Sequence, residues 1–120
     1  MSAEPLTLLR TLSPSVELAL LLDVDGQILA ASPPMDEDDE MTAVATPLLT
    51  TLGGIADRVT RELGRGGLEQ MVLRGPSGHI VVADLADGRL LAVVARPAVR
   101  LGLLLDDVSA VADQLSSAAA

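Results

Sequence analysis

The 120-residue chain contains no phenylalanine, tyrosine, tryptophan, cysteine or lysine, and only one histidine. Each absence removes a class of function. Without aromatic rings there is no platform on which a nucleobase could stack. Without cysteine there are no disulfides, thiolate metal ligands or thiol nucleophiles. Without lysine the phosphate-binding loop GxxxxGK[ST] is impossible, so Gly75-Pro76-Ser77-Gly78 reads as a turn rather than a nucleotide cradle. Positive charge is scarce as well: eight arginines face 17 acids, for a net charge of −9. Such a chain repels phosphate backbones and anionic membrane surfaces, which argues against a nucleic-acid partner. No apolar run approaches the ~20 residues of a spanning helix. The opening Met-Ser-Ala-Glu carries no basic leader. The expectation is a cytoplasmic protein with no membrane insertion.

What is present is aliphatic. Length and composition predict one domain spanning residues 1–120, with a core of Leu, Val, Ile, Ala and Met. The arginine, alanine, glycine and proline usage is that of a GC-rich bacterial coding bias. Val16 to Ser32 holds two apolar runs around Asp23-Val24-Asp25-Gly26, a hairpin signal. Asp can bond its own backbone in the turn, and Gly accepts a positive φ. Leu18 to Leu22 is apolar without alternation, and such a strand needs cover on both faces of its sheet.

Pro5 to Ser13 predicts a short helix, with Pro5 in its first turn and Ser13-Pro14 ending it. The acidic run Asp36 to Glu40 reads as a solvated loop feeding carboxylates to the next helix N-terminus. EF-hand spacing is missing, which disfavours a cation site. Met41 to Leu63 predicts the long helix. Met41, Val44, Leu48, Leu52, Ile55, Val59 and Leu63 form one stripe. Ala45, Leu49 and Ala56 widen it on one side, with Gly53 and Thr60 at the border. Their small size suits a helix–helix contact. Pro47 either bends the first turns or begins the regular helix after a cap at Thr46. Three strands follow, at Gly67–Arg74, His79–Leu85 and Leu90–Ala95, the last two joined by Asp87-Gly88. Leu101 to Leu115 carries a final helical stripe. The order α-β-β-α-β-β-β-α predicts an α+β domain on a mainly antiparallel sheet.

That order, with Asp25-Gly26, Asp87-Gly88 and the Leu101-Gly102-Leu103 opening of the last helix, resembles the Roadblock / dynein light-chain domain, and within it the bacterial MglB-like proteins. The resemblance runs from about Leu6 to Leu115. It implies a five-stranded antiparallel sheet with the long helix on one face and the N- and C-terminal helices on the other. It also implies a homodimer, formed by edge pairing of the third strand (Leu68, Gln70, Val72) and packing of the long helices through Ala45, Leu49, Gly53, Ala56 and Thr60. A charge at Leu49 is then expected to split the dimer. The implied partner is a small Ras-like GTPase, contacted through Asp57, Arg58, Arg61 and Arg65, which the protein regulates or scaffolds.

No catalytic set emerges from the residues, so the expectation is a non-enzymatic protein without cofactor or metal. His79 opens a strand with no serine or cysteine at a known spacing, and reads as a surface or strand-end side chain. Asp23 and Asp25 are explained by their turn. An arginine finger is conceivable at Arg58, Arg61, Arg65, Arg74, Arg89, Arg96 or Arg100, and nothing marks one of them. The competing reading is a small-molecule sensor of PAS- or GAF-like architecture, disfavoured by the few polar groups available to orient a ligand. A third is a scaffold subunit that leaves GTP turnover unchanged.

Overall fold

The Asp23 turn shows how local chemistry sets the frame. In the structure, a computed structural model, Asp23 Oδ1 accepts the backbone N–H groups of Asp25 and Gln27, each at 2.9 Å, and Gly26 adopts φ +84°. The structure describes residues 3–35 and 39–119, the side chains of Met41, Ala118 and Ala119 excepted. The elements are α1 (Glu4–Leu12), β1 (Val16–Leu22), β2 (Ile28–Ser32), α2 (Glu40–Glu62), β3 (Gln70–Gly75), β4 (Gly78–Asp84), β5 (Leu90–Ala95) and α3 (Leu101–Ala119). All five strands form one sheet in the order β2-β1-β5-β4-β3, every neighbouring pair antiparallel. The expected architecture of three helices and a five-stranded antiparallel sheet is the one observed.

The continuous apolar run of β1 serves both faces. Val16, Ala19 and Leu21 join the cluster under α1 and α3, while Leu18, Leu20 and Leu22 join the cluster under α2. Strict alternation would put Val16 with Leu18; the register shift between those two residues breaks the parity. A second shift, opposite Leu21 and Leu22, pairs these with Ala30 and Ile28 and leaves Leu29 unpaired.

Several expectations are refined. The strand expected from Gly67 begins at Gln70. The long helix runs unbroken through Pro47 from Glu40, so Thr46 is not its start. Pro47 lies against the β1–β2 turn, where a Cβ placed on Gly26 would come within 2.9 Å of Pro47 Cα. Only glycine combines that approach with a positive φ. Of the acidic run, Asp36, Glu37 and Asp38 lie outside the described residues; Asp39 precedes α2 and its Oδ2 accepts the Thr42 hydroxyl at 2.6 Å.

Candidate functional site

The residues singled out in the sequence gather on α2 and on the strand that follows it. Gly26 meets the early part of α2 at Pro47, Gly53 lies over Leu90, and Asp57 reaches Leu68 just before β3. The helix therefore passes from the β1–β2 turn towards β3, over the end of the sheet marked by Leu22, Leu90 and Gln70. The opposite end of the same face carries Leu18, Leu73, Ile80 and Val94, all half-buried.

The two strips of α2 have exchanged the roles their sizes suggested. Thr42, Thr46 and Gly53 are buried and Leu49 packs into the cluster with Leu20, Leu22 and Leu90. A Cβ on Gly53 would sit 3.3 Å from Leu90 Cδ1. Ala56 and Thr60 are half-buried, and Ala45 is exposed. So Leu49 and Gly53, expected at a helix–helix contact, are occupied by the chain's own sheet. The large stripe faces outward instead: Val44, Leu48, Ile55, Val59 and Leu63 are each at least half exposed, and Leu52 is 37% exposed. The physical reason is complementary size. Leu90 rises from the sheet to where a Cβ on Gly53 would stand, so the helix can cross there only with a small residue inward.

The C-terminal end of α2 is tied down by Asp57. Its Oδ1 accepts the Leu68 N–H at 2.8 Å and its Oδ2 accepts Arg61 Nε at 2.9 Å. The Leu68 N–H, and then the Arg61 guanidinium, hold this carboxyl below the usual aspartate range. Asp57 and Arg61, two of the four expected GTPase contacts, are thus bonded to each other. Arg58 stands 3.9 Å from Glu62 on an exposed helix turn. Arg65 is exposed and makes no ion pair among the described residues.

Beside Asp57 opens a surface cleft of about 610 Å³ lined by Arg61, Glu69, Asp84, Asp106 and Asp113 among others. Burial raises the Asp84 carboxyl above the usual range, and the neighbouring Asp57 charge adds to it. No group of three or more His, Asp or Glu is placed to hold a metal ion among the described residues. No helix is long and apolar enough to cross a membrane among them.

The edge strand β3 carries the other expected contacts. Gln70 and Val72 are half-buried on the α1/α3 side, with Gln70 Nε2 donating to the Leu105 carbonyl at 3.1 Å, and Leu68 lies before the strand. His79, expected at the surface, is only 8% exposed, and its Nδ1 has no hydrogen-bond partner. It faces the α1/α3 side because it shares the parity of Val81 and Ala83 on β4. Arg89 is buried too, bonded to Asp87 Oδ2 at 2.8 Å and to the Leu115 carbonyl at 3.3 Å, so it fastens α3 to the β4–β5 turn. The sequence signal for that role was only its position after Asp87-Gly88.

With this geometry in place, the likeness to known proteins becomes specific. The chain is 28% identical over 102 residues to an uncharacterised protein of Methanocaldococcus jannaschii, covering 85% of this chain and 83% of that one. Its fold matches a Roadblock/LC7 domain from Streptomyces avermitilis with TM-score 0.77 at 20% identity, over 91% of this chain and 89% of that one. It also matches a structure of MglB with a tetrameric arrangement, with TM-score 0.80 at 19% identity, over 96% of this chain and 85% of that one. The Roadblock/LC7 domain family model matches residues 3–95, every element from α1 to β5, and the chain belongs to that family.

Proposed function

We propose that this protein is a homodimeric, non-enzymatic regulator or scaffold of a small Ras-like GTPase. The observation that carries the self-association is the outward face of α2. Six large aliphatic side chains in one stripe, from Val44 to Leu63, exceed what a monomeric surface ordinarily leaves contiguous. Covering a branched aliphatic side chain contributes up to about 1.5–3 kcal/mol. Each of these side chains is already partly buried, so a fraction of that value is gained per residue, and twelve of them in two copies work against the roughly 4–15 kcal/mol that association costs.

The two sheet edges support the same reading. β2 is five residues long, carries a bulge at Leu29, and ends at Pro33-Pro34, with Ser32 held by Thr7 and Arg10 of α1. Those are the devices that keep an edge from pairing. β3 has six residues with no proline and pairs on one side only, with β4. Antiparallel pairing of β3 with its copy would run the second α2 towards the half-covered end of this sheet, at Leu18, Leu73, Ile80 and Val94. The two copies then complete each other's cover.

The GTPase partner rests on family membership and on the fold shared with MglB, since the resemblance implies such a partner. The side chains offered to that partner are Arg58 and Arg65 at the C-terminal end of α2, both exposed, with Arg58 in a solvent-facing pair with Glu62. The test is a pull-down with a co-encoded small GTPase, followed by single-turnover hydrolysis with and without this protein. Retention with faster hydrolysis identifies an activator, and retention with an unchanged rate identifies a scaffold. A chain that sediments as a monomer at micromolar concentration and retains no GTPase defeats the proposal.

A further inference from the structure

A second apolar surface lies on the opposite side of the sheet from α2, where α1 and α3 meet. Leu6 and Leu9 of α1 point into the core, and the next face of the helix carries Leu8 and Leu12, 43% and 55% exposed. Across the seam Leu103 is 57% exposed. Where the end of α1 meets the start of α3 lies a groove of about 470 Å³, walled by Leu12 and the 13–15 loop on one side and by Val99, Arg100, Leu103 and Asp107 on the other. α3 begins at Leu101, so this groove owes one of its walls to the segment beyond residues 3–95 that the family model matches.

The geometry points to a second copy of this chain as the occupant, joined through α3 in an antiparallel, two-fold arrangement centred near Leu103. The charge pattern carries that choice. Arg100, the residue just before α3, and Asp107 are seven residues apart, a spacing of about two helical turns, and both line this groove. Leu103 stands between them. When α3 packs antiparallel on its copy about Leu103, Arg100 of each chain meets Asp107 of the other, and the contact is made twice by symmetry. Neither residue has an ion pair within the chain among the described residues. A basic partner would meet Arg100 with like charge, and an acidic one would meet Asp107. A copy of the same surface satisfies both. Gly102, beside Leu103, has nothing within 4 Å of an added Cβ, so the backbone of α3 can be approached closely there. The exposed leucines then bury against each other, in a contact of the small, reversible class.

This contact does not depend on the α2 pairing, and the experiment keeps the two apart. Sedimentation velocity is run over a concentration series on the native chain, Leu103→Glu, Ile55→Glu and the double variant. The expected masses at high concentration are four chains for the native protein, two for each single variant and one for the double. Circular dichroism checks the fold, which exposed positions should leave unchanged. Arg100→Asp should also lower the native assembly by one step, and adding Asp107→Arg should restore it. A native assembly that Leu103→Glu does not reduce overturns the inference, as does a swap that fails to restore it. Loss of GTPase retention in Leu103→Glu with no change in mass overturns it too, and gives the groove to the GTPase. An assembly that Ile55→Glu leaves intact while Leu103→Glu dissociates it overturns the α2 pairing instead and leaves this contact standing.

Discussion

Under α1 and α3, Leu21, Leu91, Val81 and Val93 of the sheet are fully buried, and Leu6, Leu9, Leu104 and Val108 of the helices close over them. Under α2 the sheet offers side chains of the same kind, yet Leu18, Ile80 and Met71 stay half-buried, and one leucine of the helix, Leu49, joins them. The hydrophobic effect is indifferent to which chain provides cover. A face closed by its own helices stabilises the monomer, and a face left half-open stores driving force for association. The difference teaches that the amphipathic direction of a helix identifies its most apolar side, and that this side need not be the one facing its own sheet.

The sharpest way to break that comparison is to remove equal volumes from both faces. Leu91→Ala, in the closed core, should lower unfolding free energy by about 3 kcal/mol in urea titrations, since the cavity cannot collapse. Leu52→Ala, on the outer stripe, should change the stability of the dilute subunit by less than about 1 kcal/mol. Similar losses from the two would mean that the faces are equivalent.

Next in size is Leu49→Arg. The sequence suggested a charge there would separate two helices and spare the subunit. With Leu49 packed against the sheet, the expected outcome is loss of about 2 kcal/mol of subunit stability, from lost packing and a poorly solvated charge. A Leu49→Arg subunit with unchanged urea midpoint and reduced mass would return the interface to the small-residue strip. Ile55→Glu sharpens the same point from the other side. At 58% exposure it should change the unfolding free energy by no more than about 0.5 kcal/mol while halving the mass of the α2-paired assembly.

How much of this was legible follows from what periodicity can carry. Element order, the turns at Asp23–Gly26 and Asp87-Gly88, and two-sided burial of β1 are local signals, and each is found in the structure. The bulge that shifts the parity after Val16 leaves no mark in an unbroken apolar run. The orientation of α2 was equally hidden. Its stripes are read within one helix, whereas their assignment depends on Leu90 lying 3.3 Å from where a Gly53 Cβ would be. Arg61 and Asp57 were picked out as charged groups near a helix end; that Asp57 caps Leu68, 11 residues on, is a tertiary fact. The burial of His79 depends on β4 parity, which a run containing Ile80, Val81 and Val82 does not fix.

The smallest expected effect concerns Asp84, which has the parity of Ile80 and Val82 and so lies on the half-open face, near the end of α2. Burial, reinforced by Asp57, raises its folded value, with Arg61 partly opposing. As pH rises past the ordinary aspartate range near 4, the unfolded chain releases this proton first. Stability from this group therefore falls between the ordinary and the raised value and stays lower above it. Asp84→Asn should give a small rise in melting temperature at pH 7 that vanishes below about pH 4. Asp57 has the opposite sign. Its lowered folded value contributes stability above the ordinary range that is lost as pH falls through that lowered value. Asp57→Asn should accordingly lower the melting temperature at pH 7 and approach the native value in acid. If both substitutions move stability the same way at pH 7, the two carboxylates share one environment, and the cap on Leu68 does not distinguish the closed end of α2 from the open face beneath it.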